Sequence, residues 1–140
     1  MLVPTRFSEA RSRFSRLFDE AVEELRPVLV RRGARQEAVL ASRENLDALL
    51  QSFTLRPQVL HEDDGSVTIT VDELDWAVNA ASAEEATSAL VSDLRRYAEG
   101  YLERASLFLR APNRRSHFPY VLKIVLARDE EEVRHGLLGL

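Results

Sequence analysis

The sequence predicts an α+β fold in which an N-terminal β-α-β-β-α domain is followed by a small β-β-β-α domain with C-terminal helices. Along the chain, the spacing of apolar residues alternates between the period of a helix and the period of a strand. The net charge also changes, from +1 over residues 1–53 to −5 over residues 54–140. Because such shifts mark domain boundaries, we expect one domain at 1–53 and a second at 57–140.

The composition narrows the functional classes. Of the 140 residues, 45% are hydrophobic and 30% charged, as in a folded globular protein, and none is cysteine. Disulfide bonds, thiolate zinc sites and cysteine nucleophiles are therefore excluded. No apolar run approaches the roughly 18 residues of a membrane helix, and the N-terminus lacks the apolar core of a signal peptide. We expect a cytoplasmic protein without a membrane partner, and a dimer, because each half alone would bury little surface.

The first helix is predicted from the spacing of its apolar residues. Residues 1–7 precede it and read as an edge strand, since Pro4 cannot donate to a sheet ladder. From Ser8 one amphipathic helix is expected, with Ser8 as its N-cap and Pro27 at its end. Its apolar stripe comprises Ala10, Phe14, Leu17, Phe18, Ala21, Val22 and Leu25.

A hairpin and a short helix complete the predicted N-terminal domain. Residues 28–30 and 38–41 read as two strands around a turn at 31–35. Ser42 is a good N-cap for the helix that follows. The apolar face of that helix is expected to carry Leu46, Leu49, Leu50 and Phe53.

Arginines dominate the basic residues, because all but one of the 19 are arginine. Arginine suits bidentate recognition of phosphates and bases, although genomic codon bias produces the same preference. Arg11, Arg13 and Arg16 lie in the first half of the predicted helix and acids in its second half, opposite to what the helix dipole favours. The N-terminus of this helix is therefore a candidate phosphate site, and arginines on a solvated face are the alternative.

Three segments in order carry a resemblance to a known family. They are Arg6 to Phe14 (RFSEARSRF), Pro27 to Gly33 (PVLVRRG) and Ala38 to Ser42 (AVLAS), followed by Leu46 and Leu49-Leu50. Over residues 3–53 the chain resembles the N-terminal domain of the prevent-host-death (Phd/YefM-like) antitoxins. The resemblance implies a domain that dimerises and binds a palindromic operator in its own promoter, while the rest of the chain neutralises a toxin.

The resemblance also implies DNA-contacting residues. The helix-start arginine of the family falls on Arg11, and the arginine that closes its first hairpin strand falls on Arg32. Arg31 replaces the usual threonine and adds a charge. Three neighbours of the helix start extend the candidate set, which becomes Arg6, Ser8, Arg11, Arg13, Arg31 and Arg32.

The second half reads as a compact domain. Residues 57–61 and 66–71 alternate at period two around the acidic turn Glu62 to Gly65, which predicts a hairpin. Residues 76–80 read as a third strand, and Ser82 begins a capping box for a helix of about twenty residues. Over 57–104 this order resembles a HicB-type antitoxin domain.

The C-terminal segment is compatible with two structures. Residues 117–127 could be a strand or a helix, and Pro119 together with the shared face of Val121, Leu122 and Val125 favours a buried helix. This apolar segment would lie either in the domain core or in a toxin interface. Asp129 is expected to cap a final helix.

The sequence contains no established catalytic motif, so no catalytic residue, cofactor or enzymatic activity is predicted. A calcium loop around Gly65 is rejected because its first and twelfth ligand positions would fall on Leu60 and Val71. The histidines are too far apart for a zinc motif. A nuclease with a metal held by Asp72, Glu73 and Asp75 stays open as an alternative.

Together these observations predict the antitoxin of a type II toxin–antitoxin system. A homodimer would repress its own operon by binding operator DNA and would neutralise a toxin by direct protein binding. The negative charge of the second half suits the basic surface of a ribonuclease toxin. The alternative is a stand-alone dimeric transcriptional repressor without a toxin.

Overall fold

The computed structural model describes residues 1–140 and divides them into two compact units, Met1–Gln51 and Ser52–Leu140. Each unit has its own three-stranded sheet. The elements of the first unit are β1 (Thr5–Arg6), α1 (Phe7–Ser12), α2 (Phe14–Glu23), β2 (Val28–Arg32), β3 (Gln36–Leu40) and α3 (Arg43–Leu50). Those of the second are β4 (Gln58–His61), β5 (Val67–Val71), β6 (Trp76–Ala80), α4 (Ala83–Glu103), α5 (Ala105–Arg110) and α6 (Phe118–Leu126).

The first unit is built on the sheet β1-β2-β3. The short strand β1 runs parallel to β2, and β2 pairs with β3 as the predicted antiparallel hairpin. Gly33 adopts a φ of +64° in the hairpin turn, a conformation that L side chains rarely take. Ala10, Leu17 and Val28 form a buried cluster with Val30 and Leu40 packed beside them, and Ala21 and Leu50 are buried as well. This is a small core for a unit of this length.

The predicted single helix from Ser8 is wrong, because the chain forms two helices that break at Arg13. The Ser12 hydroxyl donates to the carbonyl of Glu9 at 2.9 Å, a back-bond that bends helices. The predicted N-cap is also wrong: Arg6 occupies that position without a side-chain hydrogen bond. Because α1 is short, Arg11 lies in its last turn, where the helix dipole favours a cation.

The end of the first unit partly confirms the prediction. The Ser42 hydroxyl caps α3 by accepting from the backbone N–H of Asn45 at 3.0 Å, as expected. Phe53 does not extend the apolar face of α3, since the helix ends at Leu50. Its ring instead packs edge-on against Tyr120 of the second unit's C-terminal region, with 5.8 Å between ring centres.

The second unit confirms the predicted hairpin, third strand and capped helix. Its antiparallel sheet has the order β4-β5-β6, and α4 packs against β5 and β6. Val67, Ile69 and Val71 alternate inward along β5, so one face of the sheet covers the core. The Ser82 hydroxyl accepts from the N–H of Glu85 at 3.2 Å and caps α4.

The ambiguous segment 117–127 contains helix α6, with Val121 and Ile124 buried in the core of the second unit. The Asp129 carboxylate accepts from the N–H of Glu132 at 2.8 Å, as expected of a cap. The chain then continues as a segment of π-helix, Glu132–Leu138. None of the helices is both long and apolar enough to cross a bilayer.

A buried histidine links α4 to the start of α6. The Tyr97 hydroxyl lies 2.6 Å from Nδ1 of His117 and accepts from Arg114 Nη1 at 3.1 Å. The lowered pKa of His117 favours the neutral imidazole, and in the tautomer protonated on Nε2 the Nδ1 atom accepts from the Tyr97 hydroxyl. Burial first, and then the Arg114 charge, lower the pKa of His117, while the Asp75 carboxylate raises it.

We expect the second unit to lose stability as the pH falls below about 6.5, the ordinary pKa of histidine. Because the pKa of His117 is lower in the folded state, the unfolded chain binds a proton first on acidification. The contribution of neutral His117 to the free energy of unfolding is therefore complete above about pH 6.5 and is lost as the pH falls below it. Urea unfolding at pH 7.5 and pH 5 should show a smaller pH dependence in His117→Gln than in the wild type. His135→Gln is the control, because His135 is exposed. An equal pH dependence of stability in the wild type and both variants would contradict the role given to His117.

Ser82→Ala should lower the free energy of unfolding by about 1 kcal/mol, because one N–H at the start of α4 loses its partner. Ser92→Ala is the matched control, since Ser92 is exposed in the middle of the same helix. Urea unfolding followed by circular dichroism measures both. A loss as large in the Ser92 variant would show that the effect is not capping.

Candidate nucleic-acid interface

Four of the predicted site residues line one cavity of about 570 Å³ at the end of the first sheet. They are Arg6, Ser8, Arg31 and Arg32, together with Pro4, Phe7 and Gly33. The parallel pairing of β1 with β2 sets Arg6 directly beside Arg31. The start of α1 then follows at once along the chain, which places Ser8 on the same rim. The cavity is thus a concentration of positive charge on an exposed surface.

The two arginines that end β2 are held by contacts across the hairpin. Arg31 Nη2 donates to Glu37 Oε1 at 3.2 Å, and Arg32 Nε donates to Gln36 Oε1 at 2.8 Å. The Arg32 guanidinium also lies 5.3 Å from the ring centre of Phe7. A guanidinium has five N–H donors, so each of these arginines keeps donors for another acceptor.

Arg11 lies in a neighbouring groove of about 810 Å³ that shares Phe7 and Arg32 with the first cavity. Arg35, which was not among the predicted residues, lines the same groove. It lies in the hairpin turn three residues after Arg32. Both Arg11 and Arg35 are exposed and form no ion pair, as is also true of Arg6. Arginines without a counterion are available to anionic ligands.

Arg13 is placed differently from the other candidates. Its Nη1 lies 3.4 Å from Glu9 Oε1, and it lines neither cavity. Ser8 caps no helix, so its part in the site is limited to its exposed place on the cavity rim.

Apolar side chains line the other wall of the groove. Phe14 is 56% exposed and Val39 is 60% exposed, although both are large hydrophobic residues. Phe18 continues this surface, with its ring centre 6.3 Å from that of Phe14. The groove therefore joins an arginine-rich end to an uncovered apolar face.

The metal site of the nuclease alternative is absent. No three histidine or carboxylate side chains converge in a way that could hold a metal ion. Glu73 instead accepts from the backbone N–H of Arg56 at 3.0 Å, and Arg56 Nε lies 3.6 Å from the same oxygen. The acids of this segment therefore do not form the cluster that the nuclease alternative requires.

Two comparisons with known proteins point to antitoxins of toxin–antitoxin systems. Residues 1–138 match the model of a PHD-like family described as "Antitoxin of toxin-antitoxin, RelE / RelB, TA system". The chain is also similar to a crystal structure of an antitoxin part of a proposed toxin–antitoxin system from Syntrophomonas wolfei subsp. wolfei. The two share 32% sequence identity and a TM-score of 0.86, over 97% of this chain and 96% of that one. No curated protein matches the chain. Because the family match spans nearly its whole length, this chain belongs to that PHD-like family of toxin–antitoxin antitoxins.

Proposed function

We propose that this antitoxin acts in a type II system as a homodimer that binds palindromic operator DNA, represses its own operon and neutralises its toxin by direct contact. The observation that carries the proposal is the arginine cluster of the first unit. Arg6, Arg31 and Arg32 line one cavity, and Arg11 lies in the groove beside it. The Phd/YefM-like resemblance of residues 3–53 supports DNA binding by the first unit. The HicB-like resemblance of residues 57–104 supports toxin binding by the second unit.

DNA is contacted by arginine side chains in this proposal. Helix α1 has only six residues, so its dipole adds little to anion binding. Arg32 is already oriented by Gln36 and by the Phe7 ring, which reduces the entropy lost when it binds. Arg6 and Arg11 have no ion pair to break, whereas Arg13 must first leave Glu9. Because the Phd/YefM-like resemblance also places DNA-contacting arginines at Arg11 and Arg32, we assign the strongest contacts to these two residues.

The apolar wall of the groove supports dimerisation of the first unit. Its buried hydrophobic residues are few, Ala10, Leu17, Ala21, Val28 and Leu50, and units of about fifty residues are marginally stable alone. Covering Phe14 and Val39 with a second copy would remove exposed apolar surface from water. A two-fold dimer would present two arginine clusters, which matches an operator with two half-sites.

The second unit is assigned to the toxin. Residues 54–140 carry a net charge of −5, which would complement the basic, RNA-binding surface of a ribonuclease toxin. Neutralisation then consists of covering that surface and involves no chemistry by the antitoxin. The cytoplasm, where RNA is translated, is the compartment that this function requires.

The wild-type protein should bind a duplex from its own promoter far more tightly than a scrambled duplex, with affinity falling steeply as salt rises. Arg11→Ala and Arg32→Ala should each cost about 1–3 kcal/mol of operator binding. Fluorescence anisotropy across a salt series measures affinity and salt slope together.

Arg26→Ala is the matched control for the operator measurement. Arg26 is an exposed arginine of the same unit, but it pairs with Glu20 and lines neither cavity. Its replacement should leave operator affinity close to wild type. Unchanged affinity in both the Arg11 and the Arg32 variants, with the fold intact, would refute the proposed DNA surface.

Phe14→Glu should convert the protein from dimer to monomer, because a charge in the apolar wall would have to be buried in the dimer. Sedimentation equilibrium measures the mass, and operator affinity should fall along with it. Leu49→Glu, at a position 68% exposed on α3 and outside the groove, is the control. A dimer that persists in the Phe14 variant would place the interface elsewhere.

A further inference from the structure

Strand β4 is an open edge of the second sheet. It pairs with β5 on one side only, and each of its four residues, Gln58 to His61, is exposed. Val59 is 41% exposed and Leu60 is 49% exposed. Val59 is paired with Ile69 on the face that covers the core, whereas Leu60 is paired with Thr68 on the opposite face. Both faces of the edge strand thus present an apolar side chain.

Apart from its short length of four residues, this edge lacks the devices that usually prevent strand addition. Natural edge strands carry lysine, proline, inward charges or bulges, or are covered by another element. β4 contains no lysine, arginine, aspartate, glutamate or proline, and its pairing with β5 continues without a bulge. Helix α4 packs against the other two strands of the sheet. Although 30% of the residues in the chain are charged, none of the four residues of β4 is an acid, a lysine or an arginine. The outer edge of β4 is therefore free to pair with another strand.

Carboxylates stand at both ends of this edge. Glu62, Asp63 and Asp64 follow His61 directly in the hairpin turn. At the other end Gln58 is paired with Thr70, and the turn that follows Val71 carries Asp72, Glu73 and Asp75. Glu73 pairs with Arg56, Asp72 is exposed and forms no ion pair, and the charge of Asp75 raises the pKa of His117.

The charges argue against a second copy of this chain on the edge. An antiparallel β4–β4 pair would bring the Glu62 turn of one copy beside the end of the other that carries Arg56, Asp72 and Glu73, where two acids outnumber one base. A parallel pair would bring identical acidic turns together. Like charges repel in both arrangements, whereas a strand with basic residues at its two ends would find a carboxylate at each.

We propose that β4 is the docking edge for an extended basic segment of the toxin, which adds to the sheet as a fourth strand. The inference rests on the proposed function of the second unit. Backbone hydrogen bonds along β4 would supply binding free energy. Val59 and Leu60 would contact alternate side chains of the segment. The acids at the two ends of β4 would favour a segment with basic residues at both of its ends.

Two changes test the edge itself. Val59→Lys introduces the charge that protects natural edges, and its long side chain can extend from the margin of the core into water. Leu60→Lys does the same on the opposite face and keeps the test valid if the first variant folds poorly. Leu107→Lys is the matched control, because Leu107 is 60% exposed on α5 of the same unit.

A third variant tests the charge. Glu62→Lys with Asp63→Lys reverses two acids of the turn and spares Asp64, whose carboxylate accepts from the Ser66 N–H at 2.9 Å and holds the turn. Glu99→Lys with Glu103→Lys is its control, since these exposed acids of α4 form no ion pair and the charge change is equal.

The experiment uses the full-length antitoxin and the toxin encoded in the same operon. Growth after co-expression measures neutralisation, calorimetry of the purified proteins measures affinity, and hydrogen exchange measures protection of the β4 amides. We expect the edge and turn variants to bind at least about tenfold more weakly, a difference of about 1.4 kcal/mol. The controls should bind as wild type does, and the β4 amides should exchange more slowly in the wild-type complex. Operator binding should be unaffected in all variants.

Each other outcome overturns the inference in a distinguishable way. Wild-type neutralisation that both edge variants retain would move the toxin site elsewhere and leave the proposed function standing. A change of oligomeric mass in the edge variants with neutralisation intact would mean that a second copy occupies β4. Failure of the wild-type protein to protect cells would remove the proposed function and the inference with it.

Discussion

The parallel pairing of β1 with β2 is the interaction on which the candidate DNA surface depends. Two residues of β1 suffice to place Arg6 beside Arg31 and to bring the start of α1 to the same end of the sheet. The Phe7 ring can then lie under the Arg32 guanidinium, which fixes one side of the groove. Without this pairing, arginines that are 25 residues apart in the chain would not share a surface.

Much of the fold follows from local rules that the sequence displays. Ser42 and Ser82 were predicted as helix caps, and both hydroxyls accept the expected backbone hydrogen bonds. The hairpin around Gly65 was predicted from its period and its turn residues, because two strands separated by a turn need no long-range information. The candidate DNA-binding residues were predicted from the order of three family-like segments and from their neighbours in sequence. Four of these six residues line one cavity.

The failures have equally physical causes. A helical period cannot reveal that Ser12 bonds back to Glu9, so the break at Arg13 was missed, and with it the correct dipole environment of Arg11. The metal cluster of the nuclease alternative does not form, because Glu73 accepts from Arg56, a pairing between residues 17 positions apart. Arg35 was missed because nothing local separates a turn arginine that lines a groove from one that is merely solvated.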